Sequence, residues 1–151
     1  MRKPEFYMHR ALELAQQAFA EQEVPVGAVV VDAQGEIIGR GYNQVIQTSD
    51  PCAHAEIQAL RDAGRTLGNY RLSGCHLYVT LEPCTLCTGG MINARISHLY
   101  YGASEPRTGV IESVCNLPAQ PWYHPQMQVT GGILAAPARR LLKAFFQQKR
   151  R

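Results

Sequence analysis

The stretch His76-Leu-Tyr-Val-Thr-Leu-Glu-Pro-Cys-Thr-Leu-Cys87 decides how this chain folds. Its first six residues, 76–81, are rich in β-branched and aromatic side chains and predict a strand. Pro83 then predicts the start of a helix, because proline has no backbone N–H to lose in a first helical turn. Cys84 and Cys87 are three residues apart in that turn, so both sulfur atoms reach one point. The stretch therefore predicts a strand that delivers two thiols to the beginning of a helix.

Strand and helix patterns alternate on both sides of this stretch. Apolar residues at helical spacing predict helices over 4–21, about 53–65, 84–94 and 138–151, the last with Phe145 and Phe146 facing inward. Runs of β-branched residues predict strands over 26–32, 37–43, 76–81, 97–103 and 127–131, the first two forming a hairpin. This alternation predicts an α/β fold, a mixed sheet covered by helices. Without a repeat, linker or low-complexity tract, residues 1–151 are predicted to form a single domain.

The composition is that of a folded protein outside the membrane. Hydrophobic residues make up 46% of the chain and charged residues 18%, which is too apolar for disorder. The longest apolar stretch, Val24–Val31, is interrupted by Pro25 and is far shorter than the roughly 20 residues of a membrane span. Arg2 and Lys3 are part of a charged N-terminal segment that lacks the apolar region of a signal peptide. We therefore predict a cytoplasmic protein.

The charge of the chain is unevenly distributed. The net charge is +3, but residues 1–112 carry 9 basic and 12 acidic side chains, whereas residues 113–151 carry 6 basic side chains and no acidic one. Such asymmetry indicates either a C-terminal part that faces a polyanion or a solvated helix face that keeps the protein in solution.

Three residues have the chemistry of a catalytic zinc site. His54, at the start of one predicted helix, and the Cys84 and Cys87 pair at the start of another form a His/Cys/Cys set. Three ligands leave one tetrahedral position open, as a catalytic zinc site requires. The positive end of a helix favours thiolates, the form of cysteine that binds metal. Glu56, two residues from His54, is placed to transfer protons without occupying the metal.

The combination of these motifs is more specific than its parts. Alone, Cys84-x-x-Cys87 is compatible with a redox pair or with half of a structural zinc site, and a lone His54-x-Glu56 is usually a solvated helix start. Together, H-x-E followed by P-C-x-x-C matches the established signature of zinc-dependent nucleobase deaminases. We therefore predict an enzyme of this class, with Glu56 as the general acid and base.

The chain also resembles a known family, the bacterial tRNA-specific adenosine deaminases (TadA type), which have the cytidine deaminase-like fold. The resemblance extends over nearly the whole chain. It is carried by Glu23–Ala28, Gly41–Asn43, Asp50-Pro51, Ala53–Ile57, Asn69–Leu72, Leu77–Cys84, Arg95-Ile96, Tyr101–Ala103, Arg107–Gly109, Gly132–Leu134 and Leu141–Phe146.

This resemblance implies a three-layer domain, in which helices flank a mixed five-stranded sheet. It also implies hydrolytic deamination of adenosine to inosine at the wobble position of a tRNA anticodon, with one Zn²⁺ per subunit. Members form homodimers whose active site borders the subunit interface. The expected partners are therefore the tRNA anticodon loop and a second copy of the chain.

The resemblance further implies roles for residues around the pocket. Asn43 would hydrogen-bond the flipped-out adenine, and Ala55 would offer its backbone N–H. Glu105 and Arg107 match a loop that touches the neighbouring nucleotides. A second set matches the final helix, which lies along the RNA: Phe145, Phe146, Lys149, Arg150 and Arg151.

Some positions depart from the family pattern. Leu86 replaces a common Met, a swap that conserves volume. Glu112 replaces a small residue near the substrate and adds a negative charge, and Tyr123-His124 replaces the usual Asn-His at the edge of the pocket. The last two concern the identity of the substrate and leave the chemistry unaffected.

Two other functions remain open from the sequence. One is a deaminase of a free base or nucleoside such as cytosine, cytidine or guanine, which would have no use for the basic C-terminal part. The other is a non-catalytic nucleic-acid-binding module with a structural zinc. It requires a fourth protein ligand, for which Cys52 is the best candidate, and it leaves Glu56 without a role.

Overall fold

A computed structural model describes residues 1–123 and 126–150 of the chain. The strands are β1 (Gly27–Val31), β2 (Ile37–Tyr42), β3 (His76–Leu81), β4 (His98–Ala103) and β5 (Gln128–Thr130). The helices are α1 (Pro4–Ala20), α2 (Val45–Thr48), α3 (Ala55–Leu67), α4 (Thr85–Asn93) and α5 (Ala135–Lys149), with a 3₁₀ turn at Leu117–Ala119.

The five strands form one mixed sheet in the order β2-β1-β3-β4-β5. β1 pairs antiparallel with β2, as the predicted hairpin requires, and also antiparallel with β3. β3, β4 and β5 are parallel. The predicted α/β fold with a mixed five-stranded sheet is therefore confirmed.

Helices cover both faces of this sheet because its central strands are apolar on both sides. All five residues of β1 are buried. Val29 and Val31 pack in a cluster with Tyr7 and Met8 of α1, while the alternate residue Val30 packs in a second cluster with residues of α3 and α4. This alternation follows from the two-residue period of a strand and produces the three layers.

Close packing of α3 on β2 depends on two glycines. A Cβ atom at Gly39 would lie 2.4 Å from the carbonyl oxygen of Ala59, and one at Gly41 would lie 2.4 Å from the carbonyl oxygen of Ala55. Only a residue without a side chain permits this approach. The contact holds the first turn of α3, and His54 before it, close to the sheet.

The observed elements differ from the predicted ones mainly at their ends. α3 begins at Ala55 and α4 at Thr85, one or two residues later than predicted, while α5 begins three residues earlier. The short helix α2 follows Gln44 and was not predicted. Phe146 is 44% exposed, so its predicted inward orientation is wrong. No helix in the described part of the chain has the length and apolar character needed to cross a membrane.

The glycine contact gives a stability prediction. Gly41→Ala should lower the free energy of unfolding by about 1–3 kcal/mol, because the new methyl group would overlap the backbone of α3. Gly89→Ala is the matched control, since a Cβ there meets no atom within 4 Å. That change should instead stabilise helix α4 by up to about 1 kcal/mol. Denaturant unfolding of both variants measures the difference, and equal stabilities would refute the packing argument.

Candidate metal centre and catalytic site

The three predicted zinc ligands meet at one point beside the N-terminal ends of two helices. The His54 Nδ1 atom lies 3.4 Å from the Cys87 Sγ atom and 3.6 Å from the Cys84 Sγ atom. His54 is the N-cap residue of α3 and Cys84 is the N-cap residue of α4, both with extended backbone. Since neither N-cap side chain caps its own helix, both are free to face the common point.

The donor set and its spacing fit zinc. For Zn–S bonds near 2.3 Å and Zn–N bonds near 2.0–2.1 Å, a tetrahedral ion holds its nitrogen and sulfur ligands about 3.6 Å apart. The observed separations of 3.4 and 3.6 Å agree with this value. A set of two thiolates and one imidazole favours the binding of zinc over that of magnesium or calcium. The fold therefore presents three of the four corners of a tetrahedral zinc site.

The two thiols share one negative charge. Hydrogen bonds from the Cys87 thiol and from the His54 side chain to the Cys84 sulfur lower the pKa of Cys84 to about 3. The same hydrogen bond and burial raise the pKa of Cys87, because a second negative charge next to the Cys84 thiolate is unfavourable. Cys87 therefore keeps its proton until a divalent cation binds and displaces it. Because binding releases a proton, metal affinity depends on pH.

Glu56 is buried beside the ligands, with 4% of its surface exposed. Burial in the apolar interior raises the pKa of its carboxyl to about 7. Glu56 belongs to the first turn of α3, so it faces the same pocket as His54. A carboxyl group with a pKa near neutrality both accepts and donates protons under physiological conditions.

A small cavity opens onto this group. Its volume is about 140 Å³, below the roughly 300–1,000 Å³ typical of pockets for drug-sized ligands. The cavity therefore suits a single base-sized group. Its walls consist of Val24, Val26, Asn43, His54, Glu56, Leu81, Glu82, Cys84, Glu105 and Thr108.

Asn43 and Ala55 lie together, but in an arrangement that the sequence did not predict. The Ala55 backbone N–H donates a hydrogen bond to the Asn43 Oδ1 atom over 2.8 Å. This N–H group is therefore already used within the protein. The amide nitrogen of Asn43 remains as the donor that this pair can offer to a ligand in the cavity.

Glu105 and Arg107 lie in one turn at the mouth of the cavity. Glu105 lines the cavity, and its carboxylate accepts the Arg107 backbone N–H over 3.0 Å. Arg107 is exposed. The structure thus places Glu105 at the cavity wall and leaves the Arg107 side chain directed toward solvent.

Glu82 holds this loop in place, a role that sequence reasoning missed. Its buried carboxylate accepts backbone N–H groups from Glu105 at 3.0 Å, Glu112 at 2.8 Å and Ser113 at 3.0 Å. It also accepts the Ile111 N–H at 3.1 Å and the Ser113 hydroxyl. The available signal was an acidic residue directly after an apolar strand and directly before the Pro-Cys pair.

The same carboxylate explains Gly109. A Cβ atom at Gly109 would lie 2.4 Å from the Glu82 Cδ atom. Burial alone would raise the pKa of Glu82, but hydrogen bonds from Ser113 and from the loop backbone hold it below its ordinary value. Glu82 is therefore an ionised, fully bonded anchor between the end of β3 and the loop 105–113.

The residues of the C-terminal helix that were assigned to RNA contact differ in their exposure. Phe145 is 5% exposed, and its ring packs 5.7 Å from that of Phe19 in α1, so the structure argues against direct RNA contact by Phe145. Phe146, Lys149 and Arg150 are exposed. Arg151 lies outside the described residues.

Two of the three departures from the family pattern, Glu112 and Leu86, have defined surroundings in the structure. The Glu112 carboxylate accepts a hydrogen bond from the Tyr101 hydroxyl over 2.5 Å. This bond turns the extra negative charge toward the protein. Leu86 is 41% exposed in the first turn of α4. His124 of the Tyr123-His124 pair lies outside the described residues.

Cys52 does not join the ligand group. Among the described residues, the metal-binding atoms that converge are those of His54, Cys84 and Cys87. Cys52 sits in a tight turn in which its backbone N–H donates to Asp50 and its carbonyl accepts from His54. The fourth ligand that a structural zinc site needs is therefore not supplied by Cys52.

Comparisons with known proteins agree with this site. Residues 1–103 match the family model of the cytidine and deoxycytidylate deaminase zinc-binding region. The chain is 48% identical to the tRNA-specific adenosine deaminase of Haemophilus influenzae over 95% of this chain and 83% of that protein. It is 50% identical to the tRNA(Ile)-lysidine synthase of Deinococcus radiodurans over 95% of this chain, but it spans only 25% of that longer protein.

Solved structures show the same fold. A structure from a study of A-to-I editing by tRNA:A34 deaminases at the wobble position superposes with a TM-score of 0.86 at 41% identity, covering 90% of this chain and 98% of that one. The guanine deaminase of Nitrosomonas europaea superposes with a TM-score of 0.81 at 28% identity, covering 96% and 85%.

The ligand assignment predicts which substitutions remove the metal. His54→Ala and Cys84→Ala should each lose stoichiometric zinc, because two protein ligands hold zinc far more weakly than three. Cys52→Ala is the matched control and should keep one zinc per chain. Elemental analysis after dialysis against a mild chelator measures the content. If Cys52→Ala also lost its zinc, Cys52 would be a fourth ligand and the site a closed structural one.

The Glu82 anchor predicts a local effect on the loop. Glu82→Gln should destabilise the protein by about 1–3 kcal/mol, because the amide NH₂ cannot accept the N–H groups that one carboxylate oxygen now accepts. Hydrogen exchange should accelerate at residues 105 and 111–113, and zinc content should stay unchanged. Asp32→Ala removes a comparable anchor, which accepts the N–H groups of Gln34 and Glu36 in the β1–β2 turn. That control should leave exchange in the loop unaltered.

Proposed function

The chain belongs to the tRNA-specific adenosine deaminases, within the family of the cytidine and deoxycytidylate deaminase zinc-binding region, and we propose that it converts adenosine to inosine at the wobble position of a tRNA anticodon. The observation that carries this proposal is the convergence of His54, Cys84 and Cys87 on one point, with the buried Glu56 beside them. Three ligands and a separate proton carrier are the parts that hydrolytic deamination of a base requires.

Each residue of the site has a defined task in this reaction. His54, Cys84 and Cys87 would hold a zinc ion, which when bound would supply a Lewis acid that lowers the pKa of water to about 7. Glu56 takes a proton from the attacking water and delivers protons to N1 of adenine and to the departing amino group. C6 thereby gains the oxygen of water and loses ammonia. The reaction consumes one adenosine and one water and yields one inosine and one ammonia.

Asn43 orients the base in this proposal. Its Oδ1 atom is fixed by the Ala55 N–H, so its amide NH₂ is held in a defined direction toward the cavity. A fixed donor of this kind pairs with an acceptor on the edge of the base. The anchored Glu105 turn lines the same cavity.

The features outside the cavity favour RNA over a free base. A single-stranded anticodon loop can splay one base into a cavity of about 140 Å³ while the rest of the RNA remains outside. Residues 113–151 offer basic side chains without a competing carboxylate. Phe146 adds an exposed ring, and Lys149 and Arg150 add exposed cations at the end of α5.

We further propose a cytoplasmic homodimer whose interface borders the active site. Ile46 is 69% exposed on α2, Leu86 is 41% exposed on α4, and Val114 is 57% exposed after the anchored loop. These segments adjoin residues of the site, and an interface there would remove the exposed apolar surface from water. The single-domain organisation of residues 1–151 is part of the same proposal.

One experiment tests the reaction and the role of Glu56 together. An anticodon stem-loop with adenosine at the wobble position should yield inosine, detected by mass analysis, while cytidine and guanine should not react. Glu56→Gln is the matched control, because it keeps the shape of the side chain but removes the carboxylate. It should bind zinc normally, and its rate of inosine formation should be lower by a factor of about 10²–10⁴ or more. Turnover of guanine or cytidine at the rate of the RNA would assign the enzyme to free bases or nucleosides.

A further inference from the structure

A second cavity lies at the opposite edge of the sheet from the zinc ligands. His76 and His98, which line it, are the first residues of β3 and β4, while Cys84 follows the end of β3. A six-residue strand at about 3.3 Å per residue separates the two edges by roughly 17–20 Å. The cavity has a volume of about 660 Å³. It is therefore distinct from the catalytic cavity and cannot hold part of the same base.

The walls of this cavity are basic. Arg71 and Arg95 line it together with Ser73, Ser97 and the two histidines, and none of the lining residues is Asp or Glu. Within residues 1–123 and 126–150, neither arginine forms an ion pair with a carboxylate. Guanidinium groups without an acidic partner attract phosphate and can bind it through two parallel hydrogen bonds.

The fold brings the two arginines to one rim. The backbone N–H of Leu72 donates to the carbonyl oxygen of Ala94 over 2.7 Å. Arg71 and Arg95 are the immediate chain neighbours of these two residues. A direct backbone link between two remote segments thus places both cationic residues beside the same cavity.

The backbone at Arg95 is unusual. Its φ angle is 67°, in the left-handed region, one residue after the C-cap of α4. Glycine is the usual residue at that position because it has no Cβ atom to clash. Strained residues of this kind cluster at sites that bind ligands. A ligand-binding role of the arginine side chain would explain why arginine stands at this position in place of the unstrained glycine.

The two histidines add hydrogen-bonding groups. Burial lowers the pKa of His76 and of His98, so both imidazoles are neutral at neutral pH. The His98 Nε2 atom lies 2.8 Å from the Thr130 hydroxyl. The buried Nδ1 atom of His76 has no hydrogen-bond partner among the described residues. The positive charge of the cavity therefore comes from its arginines, while the histidines provide polar walls.

We propose that this cavity binds the phosphate group of a small phosphomonoester of nucleotide size. Two guanidinium groups that form no ion pair within the described residues match a phosphate dianion. A volume of about 660 Å³ lies within the range of small-molecule sites. A concave volume suits the terminal phosphate of a small ligand better than the internal phosphates of an RNA duplex, which lie on a convex surface. The site is separate from the deaminase chemistry and does not depend on it.

Calorimetric titration of the zinc-loaded protein with uridine 5′-monophosphate tests this site, since uracil has no amino group to be removed. Saturable binding is expected, with uridine and a 5′-hydroxyl RNA hairpin at least tenfold weaker. Arg71→Gln and Arg95→Gln should each weaken nucleotide binding about tenfold or more, the loss expected for a charge-assisted hydrogen bond. Arg65→Gln, which removes an exposed cation paired with Asp62, is the control and should bind normally.

Arg95→Gly separates binding from a structural role of the arginine. It removes the guanidinium group and also relieves the left-handed strain, so it should unfold at no lower temperature and yet bind the nucleotide weakly. Deamination of the stem-loop should be unchanged in all of these variants. No saturable binding, equal affinity for uridine, or normal binding by Arg71→Gln and Arg95→Gln would overturn the proposal. A preference for the RNA hairpin would assign the arginines to RNA instead.

Discussion

The meeting of two helix beginnings at one edge of the sheet is the constraint on which the site depends. His54 and Cys84 both occupy N-cap positions, where the backbone is extended and the side chain turns away from its own helix. The two helices can bring them together only because α3 packs directly on the backbone of β2 at Gly39 and Gly41. A side chain at either glycine would push the start of α3 away from the Cys84 thiolate. The chemistry of the metal centre therefore rests on a steric requirement in the core.

The substrate side of the cavity depends on a buried charge. Glu82 lies within the protein, where an unpaired carboxylate would be strongly unfavourable. Its oxygens instead accept the N–H groups of a loop that has no regular secondary structure of its own. The loop thus obtains from one side chain the hydrogen bonds that a strand would obtain from a neighbour. This arrangement leaves Glu105 in the cavity wall and requires glycine at position 109.

The parallel strands separate two kinds of chemistry. Cys84 and Cys87 follow the carboxyl end of β3 and meet His54 from the start of α3 there. His76 and His98, at the amino ends of β3 and β4, line the basic cavity. The separation follows from strand direction, because residues that precede parallel strands collect at one edge and those that follow collect at the other. Arg71 and Arg95 belong to the acid-rich part of the sequence and were not visible as a pair there.

The sequence by itself determined the elements and the chemistry of the metal site. The period of apolar residues predicted the strands and every helix except α2 to within three residues of their ends. The spacing of Cys84 and Cys87 placed both thiols on one helical turn. These are local properties, set by neighbours within four residues. The tertiary structure alone decided the use of the Ala55 N–H by Asn43, the burial of Phe145 against Phe19, the loop anchored by Glu82 and the shared rim of Arg71 and Arg95. Each of these joins residues 12 or more positions apart, and such contacts depend on how the layers pack, which no local pattern of residues specifies.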